Sequence, residues 1–254
     1  MTSSHNKRRN IPVRAISTFV SKGRRPAQED FLLVDRDKGM FIIADGFGGP
    51  GPGYQAARTA CESVQHFLFR EAGDLEATLP FILKNYFSLA GNVVFNSIIY
   101  ANKKVNALNQ GKNVHEKGGA SVLAGFIDGD LLALASVGVC RCWLFRDGRS
   151  SELVVPRSFA RLRDPFNPDG AIEHQVPLIA VGLYENLEPE IIEYRIQPGD
   201  WLVLHTDGIL SQVIEQIGVI CNKNENLDAA VQELERYLKL IQFEDNASIS
   251  LMIF

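Results

Sequence analysis

A chain of 254 residues, 46% of them hydrophobic, can bury a large core, and a single domain is the expectation. Charged residues make up 22% and the formal net charge is -4, so no positive surplus exists to draw the protein onto nucleic acid or anionic lipid. Cys61, Cys140, Cys142 and Cys221 are too few and too scattered for a disulfide scaffold and form no C-x-x-C zinc pair. They read as reduced core thiols in a cytoplasmic protein.

Met1 to Asn10 is polar and carries Lys7, Arg8 and Arg9, with no apolar run behind it long enough for a signal peptide or a membrane span. Residues 1–12 are expected as a disordered basic arm and residues 13–254 as one catalytic domain. Strands are predicted at Arg14 to Val20, Phe31 to Asp35 and Met40 to Ala44, where short apolar and β-branched runs end in turn residues. Helices follow at Tyr54 to Ala72 and over much of Leu75 to Leu108, each with an apolar stripe at three- and four-residue spacing.

Ser121 to Ile127 and Leu131 to Val137 flank Asp128-Gly129-Asp130, and Arg141 to Phe145 runs into Arg146-Asp147-Gly148. Both are hairpin turns, because Asp and Gly tolerate positive φ. The stretch from Val155 to Glu190 holds Pro156, Pro165, Pro168, Pro177 and Pro189 and is expected as loop. Strands return at Ile191 to Ile196 and Trp201 to His205, a helix is predicted from Leu227 to Ile241, and Ala247 to Phe254 closes the chain as a strand. Strands in consecutive hairpins and helices in blocks argue for an α+β fold of antiparallel sheets layered with helices.

Four acidic sites stand at the ends of apolar runs: Glu29-Asp30, Asp45-Gly46, Asp207-Gly208 and Asp245-Asn246. Taken singly, such pairs are ordinary turn formers. Taken together, carboxylates converging on a partly buried point repel by up to about 4 kcal/mol per pair at about 4 Å and an effective dielectric near 20. Bound cations relieve that repulsion. Oxygen ligands without a Cys or His cluster favour magnesium or manganese over zinc, and two such ions can activate water against a phosphoryl group.

Five motifs in order resemble the metal-dependent type 2C protein phosphatases: Arg25-Pro-Ala-Gln-Glu29-Asp30, Phe-Ile-Ile-Ala-Asp45-Gly46-Phe-Gly-Gly, Gly118-Gly-Ala-Ser-Val, Trp201-Leu-Val-Leu-His-Thr-Asp207-Gly208 and Glu244-Asp245-Asn246-Ala-Ser. The resemblance implies an αββα sandwich, two antiparallel β-sheets face to face with antiparallel helices outside. It implies that Asp45 bridges two divalent cations, manganese or magnesium, with the Gly46 carbonyl, Asp207 and Asp245 as further metal ligands. Glu29 and Asp30 match positions that hold metal-bound waters, and Arg25 matches the guanidinium that clamps the substrate phosphate.

The chain departs from the family at three places. Val139, in Gly138-Val139-Cys140-Arg141, stands where many members carry the aspartate of a third, weaker metal, so that site is expected to be absent or crippled. Phe47 stands where some relatives have a histidine. The stretch 155–190 occupies the place of a longer flap, and its Arg157, Arg161 and Arg163 are either a solvated basic loop or a receiver of acidic groups on a phosphopeptide. His205 shares a strand face with Asp207 and reads as packing.

The resemblance implies a serine/threonine phosphoprotein phosphatase acting through metal-activated water. The alternative is a weak or inactive module of the same fold that binds a phosphorylated partner. A monomer is expected, with a phosphorylated protein as substrate, a cognate serine/threonine kinase encoded separately, and neither nucleic acid nor membrane as partner.

Overall fold

The computed structural model describes residues 10–49, 51–71, 83–162, 173–223 and 226–254. Residues 1–9 of the expected basic arm lie outside the described residues, as does the start of the second predicted helix. The elements in chain order are β1 (Ala15–Ser21), β2 (Asp30–Asp35), β3 (Met40–Phe47), α1 (Pro52–Glu71), α2 (Leu89–Asn109), β4 (Gly119–Asp128), β5 (Leu131–Val137), β6 (Arg141–Arg146) and β7 (Arg149–Val154). They continue as β8 (Ser158–Leu162), β9 (Glu173–Pro177), β10 (Glu190–Arg195), β11 (Trp201–His205), α3 (Ser211–Lys223), α4 (Leu227–Leu240) and β12 (Ala247–Ile253).

Two five-stranded antiparallel sheets face each other, one in the order β1-β12-β11-β6-β7 and the other in the order β10-β5-β4-β3-β2. Helices α1 and α2 cover the second sheet, while α3 and α4 cover the first. Alternation of side chains across each strand builds three apolar layers from these two sheets. In β3, Phe41 and Ile43 point into the layer between the sheets with Leu134, Leu144, Leu204 and Met252, whereas Met40, Ile42 and Ala44 point outward under α1 and α2. On the other sheet, Val203, Ile249 and Leu251 face α3 and α4 together with Ile217 and Leu234. Both faces of both sheets are thus buried, which explains why these strands read as continuous apolar runs. The expected αββα sandwich is what forms.

Four sequence expectations are corrected. The strand predicted to stop at Ala44 runs on to Phe47, so Asp45 lies within β3 opposite Asp30 on one side and Ser121 on the other. The second helix starts at Leu89, because Ser88 caps it by accepting a hydrogen bond from the Gly91 N–H at 3.0 Å. The stretch expected as loop contains a separate two-stranded hairpin, β8 with β9. An unpredicted helix, α3, buries Val213, Ile214, Ile217 and Ile220.

Asparagines on α2 fix two loops beside the acidic end of the sandwich. Asn109 Nδ2 donates to the carbonyls of Gly118 (2.7 Å) and Gly182 (2.9 Å), and its Oδ1 accepts from the Gly118 N–H (3.1 Å). Asn102 Oδ1 accepts from the Gly182 N–H (2.8 Å) and its Nδ2 donates to the Tyr184 carbonyl (2.8 Å). A side chain at Gly118 would collide with the carbonyl of Pro52, and one at Gly182, where φ is 89°, with Val105. Replacing Asn109, itself buried, by leucine keeps the bulk but strands three backbone groups. Asn109→Leu is expected to lower unfolding stability by about 2–4 kcal/mol in urea titrations, and a loss below about 1 kcal/mol would contradict this role for the side chain.

Candidate active site

The acidic residues meet at one end of the sandwich, where strands of the two sheets are tied together by side chains. Thr206, immediately after β11, donates its hydroxyl to Asp30 Oδ2 (2.9 Å) on the opposite sheet and accepts from the Ser248 N–H (3.0 Å) at the start of β12. Asn246 Oδ1 accepts from the Glu29 N–H (2.7 Å), and its amide donates to the carbonyls of Lys22 (2.8 Å) and Ala27 (2.9 Å). These two polar side chains, absent from the list of candidate residues, align the β1–β2 segment with the ends of β11 and β12. Only the place of Asn246 inside a motif and of Thr206 beside Asp207 signalled them.

Asp30 is buried at 2% exposure, directly opposite Asp45 in the β2–β3 register. Burial pushes Asp45 well above the usual carboxylate range, and the charges of Asp207, Asp30 and Asp245 push in the same direction. Asp30 is pushed up to about 7 by burial, against the hydrogen bond from Thr206. Asp207 is pushed up to about 6 by burial and by Asp245, against the pull of Arg25 and Arg141. Glu29 is raised by burial, with Arg25 opposing. Asp30, Asp45 and Asp207 therefore each lie within electrostatic reach of Asp245, as does Glu29, so that the five predicted carboxylates form one linked cluster.

Arg25 is the counter-charge at the accessible side of the cluster. Its Nε donates to Asp245 Oδ1 (2.6 Å) and a terminal nitrogen donates to Asp245 Oδ2, a two-pronged pair. Its charge also acts on Asp207 and Glu29. The preceding Arg24 points elsewhere, to Glu244 at 2.8 Å and to Gln242 at 3.3 Å.

Among the described residues, no group of three or more Asp, Glu, His or Cys side chains is arranged to hold a metal ion. Asp245 is engaged by Arg25 instead. The donor set nevertheless fits a hard cation: every donor is an oxygen, and Glu29 Oε1 and Asp30 Oδ1 are buried without a hydrogen-bond partner. The backbone is also close-packed around Gly46, whose N–H donates to the Glu29 carbonyl at 3.2 Å and where a side chain would strike the Gly53 carbonyl. The crossing from β3 to α1 can bring main chain this near the carboxylates because Gly46 and Gly53 have no side chain.

Val139 is 1% exposed in the turn between β5 and β6, so an apolar, water-excluded setting replaces the missing acid. Cys140 is buried beside the cluster and its thiol is pushed up by burial, which keeps it protonated and unreactive. His205 is buried at 2% exposure, its Nδ1 faces the Thr206 carbonyl at 2.8 Å, and burial lowers it to about 4. It stays neutral, in keeping with a packing role. Arg157 pairs with Glu190 at 3.4 Å, and Arg163 lies outside the described residues.

No family model matches the sequence. The chain is 24% identical over 247 residues, 94% of its length and 96% of the relative's, to a Streptococcus pyogenes protein named "Putative protein phosphatase 2C-type". The crystal structure of the PPM Ser-Thr phosphatase MsPP from Mycobacterium smegmatis in complex with cacodylate superimposes with a TM-score of 0.71 at 17% identity, covering 96% of this chain and 100% of that one. The catalytic domain of the serine/threonine phosphatase PstP in complex with two manganese ions gives 0.70 at 17% identity, covering 94% and 98%. The resemblance read from the five motifs is borne out, and the αββα sandwich of this chain is the fold of the PPM serine/threonine phosphatases.

Proposed function

We propose that this chain is a metal-dependent phosphatase that hydrolyses phosphoserine or phosphothreonine in proteins. The observation that carries the reading is the convergence of Glu29, Asp30, Asp45, Asp207 and Asp245 at the end of the sandwich, with Arg25 as counter-charge to Asp245, Asp207 and Glu29. One guanidinium cannot neutralise five carboxylates, and the deficit suits two divalent cations. PstP, with the same fold, was crystallised with two manganese ions.

In this reading Asp45, the Gly46 carbonyl, Asp207 and Asp245 would hold the cations. Bound there, the ions supply a water acidic enough to attack phosphorus and positive charge for the phosphoryl oxygens. Glu29 Oε1 and Asp30 Oδ1, both lacking partners, accept the hydrogens of water and so orient the nucleophile. Thr206 holds the Asp30 carboxylate in place for this. Arg25, about half exposed, offers the planar fork that suits a phosphate dianion once Asp245 has been given up to a cation. The buried, neutral His205 takes no part in proton transfer.

The direct test is release of phosphate from a phosphothreonine peptide. Manganese-dependent release by the natural chain, falling at least about a thousand-fold in Asp45→Ala, is expected; absence of release with manganese present would refute the proposal.

Arg25 and a cation compete for Asp245. Replacing Arg25 by alanine is expected to tighten manganese binding about five- to ten-fold in calorimetric titrations, while Arg24→Ala, one residue away on Glu244, changes it little. Equal affinities in all three proteins would contradict the competition.

The raised carboxylates also fix the sign of a pH effect. Asp30 and Asp207 hold protons more readily folded than unfolded, with values of about 7 and about 6 against 3.8. Their contribution to stability is therefore complete below about pH 4 and is lost as pH rises through 6 to 7. Chelated protein is expected to lose on the order of 2 kcal/mol in urea midpoint experiments between pH 5 and pH 8, and Asp30→Asn to lose less. An unchanged slope in that variant would count against the assignment.

A further inference from the structure

A groove of about 810 Å³ starts at Asp207 and runs away from the carboxylates along the outer face of the first sheet. Its floor is Arg141, Trp143 and Phe145 of β6, one wall is α3, and the β6–β7 turn with Arg149 forms the other. On α3 the residues Ser211, Glu215, Val219 and Asn222 recur at three- and four-residue spacing and so present one helical stripe to it. Gly218 lets the helix lie close to the ring of Phe145. Among the described residues strand β7 is the edge of its sheet, and no further described strand closes that side.

We infer that this groove holds the polypeptide segment adjoining the phosphorylated residue, and that its walls select an extended segment with apolar side chains. The inference rests on the phosphatase reading, because the groove is continuous with Asp207. From Ser211 to Asn222 the α3 wall is about 16 Å long, which matches about five residues of extended chain. Leu210 and Val219 are 59% and 54% exposed and flank the Trp143 floor, which gives two apolar contacts to a side chain laid between them.

The polar lining points to a peptide rather than a lipid or a hydrocarbon. Two ring nitrogens of groove residues lack hydrogen-bond partners: Trp143 Nε1, a donor, and His205 Nε2, an acceptor because Nδ1 is engaged by the Thr206 carbonyl. Both lie just beneath the groove surface, and a peptide backbone, with one donor and one acceptor per residue, is the kind of occupant that complements such a lining. A hydrocarbon brings neither. Arg141 is neutralised by Glu152 at 2.9 Å, and Arg149 and Glu215 oppose each other in sign, so the groove does not depend on an acidic partner.

The test compares hydrolysis of a phosphothreonine peptide carrying leucines on both sides of the phosphoresidue with hydrolysis of p-nitrophenyl phosphate, which is too small to fill the groove. Val219→Glu and Leu210→Glu, both at exposed positions and checked for folding by circular dichroism, are expected to lower the ratio of peptide to small-ester kcat/KM about ten-fold. Leu240→Glu, on α4 at 80% exposure, serves as the surface control and is expected to leave the ratio unchanged. Retained hydrolysis of both substrates with an unchanged ratio in both groove variants would overturn the groove assignment alone. Hydrolysis of neither substrate by the natural chain with manganese would overturn the phosphatase reading and the inference built on it.

Discussion

Carboxylates are the least favourable groups to gather at the rim of an apolar core, and this fold gathers five of them. Asp30 and Asp45 sit opposite each other in neighbouring strands, a like-charged pair that ordinarily weakens a sheet. Asp207 and Asp245 are delivered from the other sheet, by the end of β11 and the start of β12. The rest of the structure makes this arrangement tolerable. Three apolar layers supply the stabilisation, and Thr206, Asn246 and Asn109 convert it into fixed positions for the loops around the cluster. Strain of this sort is informative about function, since nothing in the packing requires the charges to be there.

The architecture was legible because both sheets are covered on both faces. Continuous apolar runs bounded by Asp-Gly turns marked most strands of the sandwich, and three- and four-residue spacing marked α1 and α4. Strand β3 was cut short in the reading because a charged residue is a poor member of a buried strand; Asp45 is that exception, and it is an exception where function demands one. The hairpin β8–β9 was missed since its prolines signal loop and its strands pair only with each other. Helix α3 carries a clear helical period in Val213, Ile214, Ile217 and Ile220, but it follows directly on the Asp207-Gly208 turn, whose residues signal loop.

The site was legible in its ligands and not in their supports. An acidic residue at the end of an apolar run is a recognisable type of residue in a recognisable place, and four such sites in order, two of them Asp-Gly, reinforce one another. Thr206 and Asn246 act through a hydroxyl and an amide that any loop could carry, so residue type says nothing about them until their partners are known. Arg25 was legible only through its motif, since its neighbour Arg24 has identical chemistry and a different partner.

That difference between adjacent arginines bears on how the charge deficit is managed. A site built only of carboxylates would be repelled apart in the absence of cations, and a site neutralised by many fixed cations would bind no metal. Arg25 is a single, half-exposed counter-charge that grips one carboxylate, Asp245, at the accessible side of the cluster, while the buried Asp30 and the half-buried Asp45 remain short of positive charge. The deepest carboxylates therefore keep their appetite for a cation, and the outermost one is lent to an arginine whose fork also suits phosphate. Under the proposed function, exchange of partners at Asp245 would link filling of the site to the freeing of the guanidinium that would receive the substrate, with only a loop arginine and one carboxylate needing to move.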